Sequence, residues 1–598
     1  MLLSTNELGN YIQAGAAEIP ADTVIEHGTL VNVMTGEYYP TNVAIYQGRI
    51  VAVDQDITDY IGPNTKHIDA TNQYLVPGLI DGHIHVECSK MSMTSFSQAV
   101  LPHGTTSIIS GLDEYISSIG LDGLEEIFAE INQLPLKVFW GTPYKTPYTF
   151  PKSTIAYDID SDDQARLLQQ ENCFGVWETV REAVQTRDED TLKTLTLAQK
   201  YHQPIFGCSP MARGKALNQF LMSGVRLDHE SYSHEEFVEK ARKGLHVIIR
   251  ESTVTKFLKE NIRAITEVAP EIARNTSFCT DDVNATDILD HGHVDHMVRL
   301  AINAGIAPMT AIQMATINSA EAYRIDDHVG MIAPGKDADI LLVDQPGTFN
   351  IQSVISKGQL VAQDNQMVVN LAAPKRSSKL QGRLKHQRLQ PQDFDYHVDL
   401  KNGQANVETI KSVGPFVRKR RDVILDVKDG IVQPDPNKDV ALVSVIERYG
   451  KNGNQSLGFV SGWSLKQGAV ATSASPDDNN LVVLGTNTND MAIAANQLIE
   501  HGGGQIVVVD GKVIDLLELP IGGIATDLAP DKLAQRERDL KQATRELGSK
   551  LPDPLFYLSF LPITAIPDLA ITDMGNVDCI KLELFDPILK LSEAGQTV

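Results

Sequence analysis

Residues 77–87 read PGLIDGHIHVE, and this stretch decides the fold. A short apolar run ends in His83-x-His85. Side chains alternate along a strand, so both imidazoles point to the same face. Two neutral imidazoles on one face can chelate a single divalent ion.

The text around the pair tells what kind of strand it ends. From Pro77 to about Asp326, apolar strand-like runs (TTSIIS, LKVFWG, CFGVWE, QPIFGC, HVIIRE, TSFCTD) alternate with helical stretches such as DDQARLLQQ and HEEFVEKARKG. That alternation reads as βα units around a parallel sheet. A length of ~250 residues suits a (β/α)8 TIM-type barrel, whose active sites lie at the C-terminal ends of the strands. Residues 1–75 and 329–373 instead carry short β-strands and turns and are expected to form one small β-sandwich domain with the barrel, 76–328, inserted into it. Residues 374–392 (PKRSSKLQGRLKHQRLQP and its flank) read as a linker, and 393–598 as a C-terminal α/β (α+β) domain. Gly502-Gly503-Gly504 follows a helical stretch and reads as a helix stop rather than a phosphate loop.

Composition narrows the function classes. The formal net charge of −25 over 598 residues argues against nucleic-acid and anionic-membrane partners. The run Arg418-Lys419-Arg420-Arg421 is the main basic exception and reads as a solvated turn. Five scattered cysteines without a CxxC pair fit a reducing compartment. With no signal-peptide pattern and no apolar span of ~20 residues, a cytoplasmic protein is expected. A symmetric dimer is the default assembly.

Further candidates stand at the ends of the strand-like runs. Glu178 closes CFGVWE, where a carboxylate suits a ligand bridging two ions or, alternatively, a helix N-terminal charge. His229-Glu230 follows GVRLD and reads either as a ligand with an acid–base neighbour or as a solvated loop pair. Thr280-Asp281-Asp282 follows TSFC; an Asp there can hold a metal and accept a proton from water, or cap a helix. His293 and His296 read as a helix face packed on the barrel, and His103 as a turn residue. The order HxH, Glu, His, Asp is more specific than any member alone.

These motifs, with VIIRES, GHVDH, MATINSAEAY and GMIAPGKDADILLVD, resemble the amidohydrolase superfamily, and within it bacterial adenine deaminases. The C-terminal stretches GFVSGWSLKQGAVATS, GTNTNDMAIAANQLIEHGGGQIVV and LPDPLFYLSFL are similar to the same family. The resemblance implies conversion of adenine to hypoxanthine and ammonia with Mn2+ or Fe2+, one or two ions per chain. It implies that His83, His85 and Asp281 hold the first ion, that Glu178 bridges, and that His229 binds the second. Asp281 would shuttle the proton, and Glu230, Arg250 and Glu251 would line or support the purine pocket.

The chain departs from the family pattern at several histidines. Gly111-Leu112-Asp113-Glu114 stands for D-P-H-E, and Gly207-Cys208-Ser209-Pro210-Met211 for G-H-A-P-G. Asn284 replaces a His after TDD, and Ser475-Pro476-Asp477-Asp478-Asn479-Asn480 stands for A-H-D-S-H-N. Cys208 therefore has three readings: a thiolate ligand that also admits Zn2+, a buried inert thiol, or the mark of a lost second ion. Three functions remain open: adenine deamination, hydrolysis of another aminopurine or cyclic amide, and a non-catalytic paralogue.

Overall fold

The computed structural model describes residues 3–593 except 145, 146, 150, 382, 383, 415, 416 and 567. Its centre is an eight-stranded parallel sheet in sequential order: β1 (Leu79–Asp81), β2 (Thr105–Ser110), β3 (Lys137–Pro143), β4 (Cys173–Val180), β5 (Ile205–Cys208), β6 (Leu227–Asp228), β7 (His246–Arg250) and β8 (Thr276–Cys279). The runs expected to be strands become β2, β3, β4, β5, β7 and β8. Beyond the ends of β1 and β8 the ring is closed by a parallel bridge between Ile84 and Asp281, in which Asp281 N–H donates to His83 O at 2.9 Å and His85 N–H to Asp281 O at 3.2 Å. The barrel seam is thus made by the residues singled out in the sequence. Gly82 sits in that seam, where a Cβ would come within 2.9 Å of Phe278 O.

The strands before and after the barrel join in a single nine-stranded sheet. Its junction is the antiparallel pair Tyr74–Pro77 with Ile340–Val343, so the chain enters and leaves the barrel at one place. The C-terminal region forms a ten-stranded, mostly antiparallel sheet carrying the helices Thr488–His501, Pro530–Glu546 and Pro554–Ser559. Helix Thr488–His501 ends at Gly502 with φ 75°, the left-handed stop expected of the glycine run.

Two segments differ from their sequence reading. The stretch read as a linker is docked: Arg376 pairs with Glu130 and Asp527, Leu380, Leu384 and Leu389 are buried, and Lys385 N–H donates to Arg448 O. Residues 382 and 383 of it lie outside the described residues. The basic run is no solvated turn but part of strand Val417–Lys428. Arg418 is buried and donates to the carbonyls of Phe560, Leu561, Ile563 and Ile566, while Arg420 pairs with Glu408 and Asp578. A guanidinium with five donors matches a loop that has four carbonyls to satisfy. One hydrophobic cluster runs from Met91, Phe96 and Ile116 on the barrel to Val443, Trp463, Ile521 and Leu558 of the C-terminal region, so the two share a core.

Candidate metal centre and cavity

A cavity opens at the C-terminal end of the barrel strands, with His85, Glu178, Cys208, His229, Glu230, Arg250 and Asp281 in its wall. His83 lies just beneath, fully buried, with Nε2 3.1 Å from Asp281 Oδ1. His85 Nε2 is 3.1 Å from Glu178 Oε2, and His229 Nε2 is 3.7 Å from Glu178 Oε1 and 3.8 Å from Asp281 Oδ2. The Nε2 atoms of all three imidazoles therefore turn toward the same two carboxylates. Ligand atoms within 4.8 Å of one another occur in the sets His83–His85–Glu178, His83–His229–Asp281 and Glu178–Cys208–His229. Nitrogen, carboxylate and thiol donors gathered at that spacing fit one or two divalent ions.

Local backbone features aim these groups. Between the pairs Ile205↔Val176 and Gly207↔Thr179, β4 advances one residue more than β5, and the resulting bulge carries Glu178 at φ 29°. Asp281, just past β8, has φ 58°. Both carboxylates thus sit in a left-handed backbone region that non-glycine residues seldom adopt, as functional groups held against local preference do. Asp81 ties the two strand ends together: it accepts from His83 N–H and Thr280 N–H, each at 3.1 Å, and faces His293 Nε2 at 3.2 Å. His293 itself is buried against the barrel, as the sequence suggested. Beneath His83 an aromatic stack forms, with Trp177 at 4.4 Å and His229 at 4.0 Å between ring centroids.

The electrostatics split the acids into different states. Burial alone would raise the Asp281 carboxyl, yet the Arg250 guanidinium and the His83 hydrogen bond hold it well below the usual carboxylate range. Burial pushes Glu230 up to about 8 even though Arg250 Nη1 donates to its Oε1 at 2.6 Å. Arg250 also donates to Asp281 Oδ2, so one guanidinium fixes both carboxyls. Burial, reinforced by His83, keeps His229 neutral, the form that binds metals. At His85 burial opposes the charge, but Asp113 and Glu178 raise its pKa well above the ordinary value. Burial, then Glu178 and Glu230, push the Cys208 thiol well up.

Glu251 is the candidate that neither lines the cavity nor joins a donor set. It follows the inward-facing Arg250 in the chain, and its Oε2 accepts from Leu258 N–H at 3.0 Å. The helix cap after β8 is Asn284, whose side chain accepts from Asp287 N–H at 2.9 Å, which leaves Asp281 and Asp282 free to face the cavity. Sequence reasoning passed over Tyr148, Tyr232, and Lys240. The fully buried Lys240 donates to Asp228 Oδ1 at 2.8 Å, to Ser209 O at 2.9 Å and to Glu230 O, and so braces the loops after β5 and β6. A lysine on the same helix face as Phe237, at an i, i+4 spacing from Glu236, was the available signal.

The amidohydrolase family profile matches residues 74–361, and the adenine deaminase C-terminal domain profile matches residues 416–583. Adenine deaminase 1 of Latilactobacillus sakei subsp. sakei (strain 23K) is 63% identical over 97% of this chain and 98% of its own length. Adenine deaminase 1 of Desulfotalea psychrophila is 59% identical over 99% and 100%, and adenine deaminase 4 of Rhizobium meliloti 50% over 96% and 96%. The chain belongs to the adenine deaminase family. Membership in the wider amidohydrolase family implies a divalent metal, and the donor sets described above are able to hold one. Among the described residues no helix is long and apolar enough to cross a membrane.

A Cβ on Gly111 would fall 2.1 Å from Trp177 Nε1, so Trp177 packs directly on this glycine. Asp113 and Asn479 come together around Glu114: Asp113 adjoins it in the chain, and Asn479 Nδ2 donates to its Oε2 at 3.2 Å.

Proposed function

We propose that the protein hydrolyses adenine to hypoxanthine and ammonia. The observation that carries this reading is the convergence of three imidazole Nε2 atoms and two unlike carboxylates on one cavity in a chain related over nearly its full length to adenine deaminases. His83, His85 and Asp281 would hold one divalent ion, and Glu178, Cys208 and His229 its neighbour. The ions of choice are Mn2+ or Fe2+, with Zn2+ the competitor that a thiolate admits. A divalent ion at such a site supplies Lewis acidity and brings the pKa of the attacking water toward neutrality.

The protein's own groups then divide the proton work. Asp281, ionised, accepts the proton of the attacking water. Glu230 is protonated at neutral pH; its Oε1 is taken by Arg250, while its buried Oε2 has no partner. Oε2 can therefore donate to a purine ring nitrogen as negative charge develops there. Arg250 keeps the two carboxyls at fixed separation and favours ionisation of both, while burial and the neighbouring Asp281 charge keep Glu230 protonated. Asp281 passes its proton to the departing amine. The wall groups Pro476, Phe560 and Ile566 shield these transfers from bulk water.

Asp281→Asn and Glu230→Gln test this division in the metal-loaded enzyme. Each should lower kcat by ~10²–10⁴-fold, the usual worth of a positioned acid or base. Retention of full kcat by both variants in an adenine absorbance assay would remove the assignment.

A further inference from the structure

Tyr148 lines the catalytic cavity, and the reaction as described gives it no task. It lies in the loop after β3 and is 4% exposed, yet its hydroxyl has no hydrogen-bond partner among the described residues. Burial, then Asp113, Glu178, Tyr144 and Asp477, raise that hydroxyl well above the ordinary tyrosine value, so it keeps its proton and is a donor in want of an acceptor. A buried donor left in that state is costly until something pairs with it. The ring itself is held in place. Tyr144 stacks on it, with centroids 5.4 Å apart and an interplanar angle of 27°. Further along the same loop, Thr154 is pinned by the C-terminal region: its Oγ1 donates to Asp573 Oδ2 at 2.6 Å, and its carbonyl accepts from Asn480 Nδ2 at 3.0 Å.

Position says what that partner is. In a closed ring of eight strands in sequential order, the loop after β3 stands nearly across the mouth from the loop after β6, which carries Glu230. Two buried polar atoms without a partner, Tyr148 Oη and Glu230 Oε2, therefore belong to opposite walls of one cavity. A purine whose C6 meets the metal ligands has N1 on one flank of C6 and, past C5, N7 on the other. Glu230 serves N1, where attack at C6 places negative charge. The nitrogen left for the far wall is N7. In the N9–H form of adenine, N7 bears a lone pair and no hydrogen, which matches a hydroxyl in want of an acceptor. The Glu178 charge acts on Tyr148, which sets the hydroxyl at the depth of the metal ligands, where C6 and N7 lie, and not at the outer, N9 end of the base. We propose that Tyr148 Oη donates to N7 of the purine and, together with Glu230, holds the ring with C6 toward the metal ligands.

This inference rests on the deaminase reading, and the two fail separately. The probes are 7-deazaadenine, in which C–H replaces N7, and 3-deazaadenine, which keeps N7. Calorimetry of the metal-loaded protein measures the binding of each. Tyr148→Phe keeps the stacked ring and removes only the hydroxyl. It should weaken binding of 3-deazaadenine about tenfold, the order of one buried hydrogen bond, and leave that of 7-deazaadenine within twofold. For adenine, kcat/KM should fall by about the same factor as 3-deazaadenine binding. The melting temperature should not fall, because the hydroxyl has no partner in the protein to lose. Equal weakening of both analogues, unchanged binding of 3-deazaadenine, or a lowered melting temperature would overturn the proposal. Absence of ammonia release from adenine by the wild type would instead overturn the deaminase reading.

Discussion

Cys208 is the residue whose reading the structure sharpens most. Its sulfur lies within 4.8 Å of ligand atoms of Glu178 and His229, and its side chain packs in the barrel's hydrophobic cluster. Burial beside two acids keeps it protonated without a metal, so a bound ion must displace the proton. Cobalt-substituted protein should show a thiolate-to-cobalt charge-transfer band that Cys208→Ser abolishes, and Cys208→Ser should lower bound metal toward one ion per chain. An unchanged band and stoichiometry would return Cys208 to the core. His83, His85, His229 and Asp281 were legible because strand ends in a barrel carry function. Glu251 was misplaced because neighbours in a strand face opposite ways. Asp113 could be seen only as a deviation, and Glu114 and Asp477 only as matching members of two separate stretches, since nothing in one chain says that residues far apart in sequence meet around His85.

At the scale of elements, the loops after β5 and β6 depend on one buried cation. Lys240 satisfies Asp228, Glu236 and two carbonyls at once, and Asp228 in turn accepts from Ser209 Oγ and from Glu230 N–H at 2.9 Å. Removing one partner of a buried ion pair typically costs ~3–5 kcal/mol. Lys240→Met should therefore lower the denaturation midpoint measurably and reduce kcat through a displaced His229–Glu230 loop; a midpoint equal to that of the wild type would contradict this. The barrel strands were legible in the sequence as apolar runs separated by amphipathic stretches. β6 is only Leu227–Asp228, too short for periodicity to define. The docking of residues 374–392 was illegible because its partners, Glu130, Arg448 and Asp527, belong to remote segments.

The whole molecule is built so that the C-terminal region completes the barrel's cavity. Phe560, Ile563 and Ile566 in its wall come from the loop held by Arg418, and Asp477 is the polar side chain that this region contributes among the described residues. Closing the site this way buries many acids. Burial holds Glu230 at about 8, and burial with Asp573 holds Asp478 at about 7, against ordinary values of 4.5 and 3.8. Between those limits the native state binds more protons than the unfolded chain, so the stability they support is full below about pH 4 and is lost as the pH rises through 7 to 8. The metal-free protein should melt at progressively lower temperature from pH 6 to pH 9, and metal loading should flatten that slope by favouring ionised ligands. A metal-free melting temperature that rises over this range would be inconsistent with the buried acids.

The most direct measurement pairs metal analysis with ammonia release from adenine, on wild type and His83→Ala. The expected result is one or two divalent ions per wild-type chain and stoichiometric hypoxanthine and ammonia, with both metal and turnover lost in the variant. A wild-type chain that binds metal yet leaves adenine unchanged, or a His83→Ala protein that still turns it over, would contradict the account.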